Sequence, residues 1–304
     1  MKWSQVTMVE LQDLEARATA GDAFTRADAD RVMACADLVS VGVLGEAARK
    51  ASRGNRVTFG RVCLVAPGAA PADRGEAGEV RLTGTPASVE DARGRVRAAA
   101  PLASGVPLTG FSLADLLDLA AGDHLALVDL ARALCADGLE AVAETPLDRL
   151  GDAENAVEVV RAVMRGGLGA WRAVIDRAAP AARLDLIERA AVLQRETGAL
   201  RAFAPLARLD SREQPSTGYD DVRAIAVARL MGRAIPSIQV DWLLYGPKLA
   251  QVAIAYGADD LDAVPAVDPL GLGTRRSPAE DVRRQIAAAF AEPAERNGRY
   301  EPRS

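Results

Sequence analysis

The feature that most constrains this chain is an alternation that begins at residue 56. Brief apolar runs such as "RVTFGRVCLVAP", "GVPLTGF", "LEAVAE", "WRAVID", "LRAFAPL" and "SIQVDWL" are interleaved with longer segments of helical period. The helical segments include "SLADLLDLAAG", "HLALVDLARALCADG", "AARLDLIERAAVLQRETG", "YDDVRAIAVARLMG" and "GPKLAQVAIAYG". Short runs without polar alternation read as strands buried on both faces, and the helices between them are the crossovers that parallel strands need. The pattern predicts an α/β fold, a TIM-type (β/α) barrel. The stretch from Thr83 to Gly110 looks too short for a full βαβ unit, so the barrel is expected to be partial or shortened. At 304 residues with 49% hydrophobic content, the chain can bury one large core of this kind.

The first fifty-five residues have a different texture and read as a helical lead-in. "SQVTMVELQDLEARATAG" places Val6, Val9, Leu11 and Leu14 at helical spacing and ends on Gly21; the next segment starts with Thr25 as N-cap and stops at Gly54. After the barrel, one amphipathic helix is expected near Ser277, followed by a polar end. The expected divisions are a lead-in at 1–55, a barrel at 56–275 and a C-terminal helix with tail at 276–304.

Composition narrows the functions. A net charge of -5, with arginines interspersed among acids as in "EDARGRVR", gives no reason to expect nucleic acid as a partner. "MKWSQVTMVELQDLEARA" has acids early and no uninterrupted apolar run, so neither a secretory signal nor a membrane span is expected, and a cytoplasmic setting is. Cys35, Cys63 and Cys135 are three in number and far apart, which suggests reduced thiols rather than a disulfide framework. The single histidine, His124, reads as a helix-start residue and excludes histidine-rich metal sites.

Near the C-terminus the motifs become specific. "STGYDDVRAIAVARLMGRAIPSIQVDWLLYGPKLAQVAIAYGADDLDA", with "LQRETGALRAFAPLARLD" before it and "ERNGRYE" after it, resembles the radical S-adenosylmethionine enzymes of the futalosine route to menaquinone. Aminofutalosine synthase and dehypoxanthine futalosine cyclase are the members it resembles, and the lead-in "RVMACADLVSVGVLGEAARKASRGNRVTF" resembles theirs. The resemblance implies a Cys-x3-Cys-x2-Cys loop after the first strand, whose three thiolates hold a four-iron cluster and leave one iron for S-adenosylmethionine. Here that region reads "CLVAPGAAPADRG", with one cysteine. The family's glycine-rich turn aligns with "VAETPLDRL", in which Asp148 falls where the family keeps a glutamate. The family's strand-end histidine aligns with "IDRAA" at 175–179, which has none.

These losses lead to the expectation of a degenerate, radical SAM-like barrel without cluster, metal or other cofactor. Such a protein would bind a small molecule or serve as partner subunit of an active pathway enzyme, in a heteromer or as a homodimer. The alternative is non-radical acid/base chemistry on a futalosine-like molecule in the inherited pocket. Candidate ligand-binding residues, near strand and helix ends, are Asp148, Asp210, Asp241, Tyr245, Lys248, Asp259, Asp260 and Asp262. The last three lack the ligand spacing of a calcium loop. Catalytic residues are not assigned by the sequence.

Overall fold

A computed structural model describes residues 11–69, 73–208, 216–267 and 278–303. Three helices form the lead-in: α1 (Gln12–Ala20), α2 (Arg26–Ala34) and α3 (Leu38–Arg53). Gly21 ends α1 in a left-handed conformation, and Thr25 caps α2 in a reciprocal box with Asp28. Asp37 starts α3 by accepting from the Val39 amide, so the second segment is two helices broken at residues 35–37. Val6 and Val9 lie outside the described residues.

Eight parallel strands then close into a complete barrel. They are β1 (Arg56–Val65), β2 (Glu79–Leu82), β3 (Leu108–Ser112), β4 (Ala141–Pro146), β5 (Arg172–Ile175), β6 (Ala202–Ala207), β7 (Ser237–Asp241) and β8 (Asp260–Pro265). Each pairs with the next, and β1 pairs with both β8 and β2. The crossovers hold α4 (Val89–Ala99), α5 (Leu113–Leu119), α6 (His124–Ala136), α7 (Ala153–Arg165), α8 (Arg183–Thr197), α9 (Gly218–Met231), α10 (Trp242–Ala255) and α11 (Pro278–Ala288). His124 opens α6, as its position suggested.

The expectation of a shortened barrel is therefore corrected. All eight strands are present, and residues 83–110 carry α4 and a complete unit. What is reduced is the crossover from β1 to β2, residues 66–78, which has no helix among its described residues. Strand β2 itself, "EVRL", is buried at every position although its charged residues alternate with apolar ones.

The tail adds a ninth strand, β9 (Glu292–Arg296), where a polar end was expected. It runs parallel to Arg56–Gly60 of β1, while β2 occupies Val62–Val65 on the same edge. Thus β9 continues the wall below the short β2. It also brings Arg296 inside, and Gly60 makes the room: a Cβ there would lie 2.6 Å from the Arg296 guanidinium. The Gly298 amide then donates to the Gly78 carbonyl at 2.9 Å and fastens the tail to the start of β2.

The barrel axis is filled with ions rather than the layered aliphatic residues of a simple barrel. Arg296 donates from Nε and Nη2 to the two Asp260 oxygens at 2.6 and 2.7 Å, and from Nη2 to Asp262 at 3.1 Å. Arg81 reaches Asp262 at 2.8 and 3.2 Å and Glu79 at 2.7 and 2.9 Å, and Arg172 also donates to Asp262. Thr58, Thr109 and Gln239 complete the carboxylate shells at 2.5–2.6 Å. Three buried guanidiniums thus meet three buried carboxylates. A bulge in β8 makes this geometry available: the pairing to β1 slips around Asp262 and Ala263, and Ala263 has a φ of 55°.

Removing one member of such a lattice leaves its partners charged and dry. Arg296→Ala is expected to cost about 3–5 kcal/mol, the usual effect of orphaning a buried ion pair. Equilibrium urea unfolding against the parent protein checks this value.

Candidate functional site

The carboxyl ends of the strands open on a cavity of about 430 Å³. Its floor is the upper face of the ion lattice, Arg81 and Arg172, and its walls carry Arg149, Arg177, Arg208, Asp115, Glu144, Asp176 and Asp241. The apolar side is formed by Leu64, Leu82, Phe111, Leu243 and Leu244. This is the end of a (β/α) barrel where sites are mounted, because the loops there vary without disturbing the sheet.

Each polar wall has a definite support. Glu144, on β4, accepts from Arg208 at 2.9 Å and lies 3.8 Å from Arg172. Arg149 is held by Asp115 at 2.9 Å and Asp118 at 3.2 Å. Asp148 accepts from the backbone amides of Asp176 and Arg177 at 2.8 and 2.7 Å, so it fixes the turn after β5 instead of facing the cavity. The Asp176 carboxyl, delivered by that turn, is raised above the usual carboxylate range by burial and by the nearby Asp148 and Glu144 charges. The Ser112 hydroxyl, at the end of β3, is buried in the same cavity with no hydrogen-bond partner.

The candidate residues read from sequence are dispersed. Asp241 lines the cavity and caps α10 by accepting from the Leu244 amide at 2.8 Å, with Asp148 supporting the wall behind. Tyr245 donates to the Ala207 carbonyl and is held neutral by burial, while Lys248 is exposed on α10 and does not line the cavity. Asp260 and Asp262 lie in the ion lattice. Asp259 sits below them, bound by Arg229, by Arg53 at 2.9 Å and by the Ile238 amide at 2.7 Å, where it ties α3 and α9 to the sheet. Asp210 lies outside the described residues.

Sequence reading missed Asp176, Ser112, Arg149 and Arg208. Asp176 was within reach: it stands in "IDRAA", immediately after a recognisable strand. The arginines gave no signal, since arginine is common throughout the chain.

The three-thiolate set does not assemble. Cys63 lies on β1, partly buried against the core, where burial pushes its thiol up. Cys35 ends α2 in the lead-in, and Cys135 is on α6 with its thiol toward the Gly167 carbonyl. Among the described residues no group of three histidine, cysteine, aspartate or glutamate side chains is placed to hold a metal. The donors present therefore do not fit a cysteine-bound cluster, and no step through one is derived.

The pH dependence of the lattice follows from Asp262. Burial alone would raise its carboxyl, but Arg81, Arg172 and Arg296 hold it well below the ordinary carboxylate range. Its stabilisation is therefore complete above the unfolded value near ~3.9 and is lost as pH falls through the lower folded value. Asp262→Asn is expected to lower stability at neutral pH by about 3–5 kcal/mol. It should also flatten the acid limb of the stability profile, measured by urea unfolding from pH 2 to 7.

Comparison with known proteins agrees with this architecture. Residues 202–304 match the family described as the CofH/MqnC C-terminal region. Aminodeoxyfutalosine synthase of Streptomyces coelicolor is 34% identical over 144 residues, covering 40% of this chain and 37% of that protein. The 5-amino-6-(D-ribitylamino)uracil–L-tyrosine 4-hydroxyphenyl transferase of Methanopyrus kandleri is 30% identical over 190 residues, covering 57% and 48%. The matches thus span less than half of those curated relatives. Among solved structures, methylornithine synthase (PylB) superposes with a TM-score of 0.64 at 14% identity, covering 92% of this chain and 97% of its own. The hydrogenase maturase HydG gives 0.64 at 11% identity, covering 96% and 76%. These two share the fold. The family match therefore rests on the C-terminal third of the chain, where the specific motifs lie, and the sequence similarity to aminodeoxyfutalosine synthase extends over 144 residues.

Proposed function

We propose that this chain is a cluster-independent member of its family that binds a small, futalosine-like molecule at the barrel mouth, alone or as a subunit beside an active pathway enzyme. One observation carries the reading: the strand and loop that would present three thiolates present Cys63 alone, while the cavity above the barrel persists. A thiol held protonated by burial is a poor start for a cluster, and the other two cysteines are mounted on separate helices.

What supports ligand binding is the lining of the cavity: convergent arginines and carboxylates on one side and leucines on the other, the composition of a small-molecule site. Asp176 favours a second reading, in which the pocket performs acid/base chemistry, since a largely buried carboxyl with a raised proton affinity is suited to proton transfer. Among the described residues no helix is long and apolar enough to cross a membrane. A cytoplasmic setting belongs to the same proposal.

Anaerobic reconstitution with iron and sulfide tests the reading. The expected result is no stoichiometric iron or sulfide on the polypeptide and no 5′-deoxyadenosine from S-adenosylmethionine under reducing conditions. A bound cluster with that product formed by this chain alone would contradict it. Light scattering on the protein, by itself and mixed with aminodeoxyfutalosine synthase, separates a homodimer from a heteromeric partner.

A further inference from the structure

We propose that the barrel mouth, at the adjacent ends of β5 and β6, takes up the carboxylate of a small acid with an apolar body together with a proton on Asp176. This rests on the small-molecule reading above and specifies the ligand's chemistry. Ile175 pairs with Ala207, and the Arg208 amide donates to the Ile175 carbonyl at 3.0 Å, so Asp176 and Arg208 leave neighbouring strands side by side.

The Asp176 side chain is 15% exposed, and among the described residues its carboxyl accepts no hydrogen bond. Its one ion pair among them is with Arg177, whose Nε stands 3.5 Å away on a side chain that is 74% exposed. The charged groups facing it are Glu144 from β4, Asp148 and Arg149 from the turn after β4, and Arg177 from its own turn. Burial and the two carboxylates outweigh the two guanidiniums. A ligand anion entering here adds a further negative charge, so its binding favours the protonated Asp176, which can then donate to it.

Two further observations point to a ligand. Among the described residues Arg208 uses only Nη1, for Glu144, leaving guanidinium N–H donors for a carboxylate, and Arg177 has only its loose pair. Ser112, 8% exposed, lines the same cavity, and its buried hydroxyl has no partner among the described residues, an unmet bond that a ligand oxygen would fill. For the remainder of the ligand, Leu64, Leu243 and Leu244 offer apolar surface that is 42%, 57% and 46% exposed at the rim.

The test uses hexanoate as probe and hexanamide as its neutral counterpart, titrated into the full chain between pH 6 and 8 by calorimetry in two buffers of different ionisation enthalpy. Hexanoate is expected to bind with proton uptake, its affinity falling by up to about tenfold per pH unit once Asp176 is ionised in the free protein. Hexanamide should bind more weakly at pH 6 and without a pH slope. Asp176→Asn should keep hexanoate binding while abolishing the proton uptake and the slope; Ser112→Ala should weaken binding several-fold and leave the slope intact. Absence of hexanoate binding, binding without proton uptake, or a slope that persists in Asp176→Asn would overturn the proposal. None of those outcomes bears on cluster independence, which the iron and sulfide content decides separately.

Discussion

Asp262 and the three guanidiniums around it are the constraint on which the rest of this barrel depends. A carboxylate with no solvent exposure is tolerable only when its charge is matched and its lone pairs are occupied, and Arg81, Arg172 and Arg296 do both. These arginines come from β2, β5 and β9, so the ion cluster joins strands far apart in sequence across the axis of the barrel. The neutral balance of three acids and three bases explains how a barrel can carry so much buried charge and still fold. The C-terminal strand follows from the same constraint. Without β9, Asp260 would lose its bidentate partner, and the wall beside β1 would be open below β2.

The lattice also sets the form of the functional region. With the axis filled by side chains up to Arg81 and Arg172, the cavity at the mouth lies above a floor that presents guanidinium edges. The β1–β2 connection has no helix among its described residues, whereas the opposite wall, from β3 to β7, carries a set of polar residues with fixed supports. Asp148 illustrates the division of labour: its two amide bonds make it a brace for the turn that delivers Asp176.

Much of the fold was legible in the sequence because it rests on local rules. The strand runs and crossover helices were read from periodicity, and Gly21, Thr25 and Gly54 stop or cap helices where their chemistry suggested. Strand β2 and strand β9 were not legible, for a single physical reason. "EVRL" and "EPAER" carry charged residues at inward positions, and a charge reads as solvent-facing until its distant partner is known. Arg81 and Asp262 are separated by 181 residues. The site was less legible still. Asp241 stands at the cavity because it ends a strand, but of Asp259, Asp260 and Asp262, adjacent in sequence, the first belongs to one ionic network and the other two to another. Asp176 depends on burial and on the carboxylates of another strand, neither of which periodicity reveals.

The most direct measurement is the exchange behaviour of the arginine side chains. In a ¹H–¹⁵N spectrum with the guanidinium groups assigned by substitution, the Nε protons of Arg81, Arg172 and Arg296 should be dispersed and protected from solvent exchange, in contrast with the exposed Arg177. Rapid exchange of those three protons, at the rate of Arg177, would mean that the barrel axis is wet and the ionic lattice is not its core.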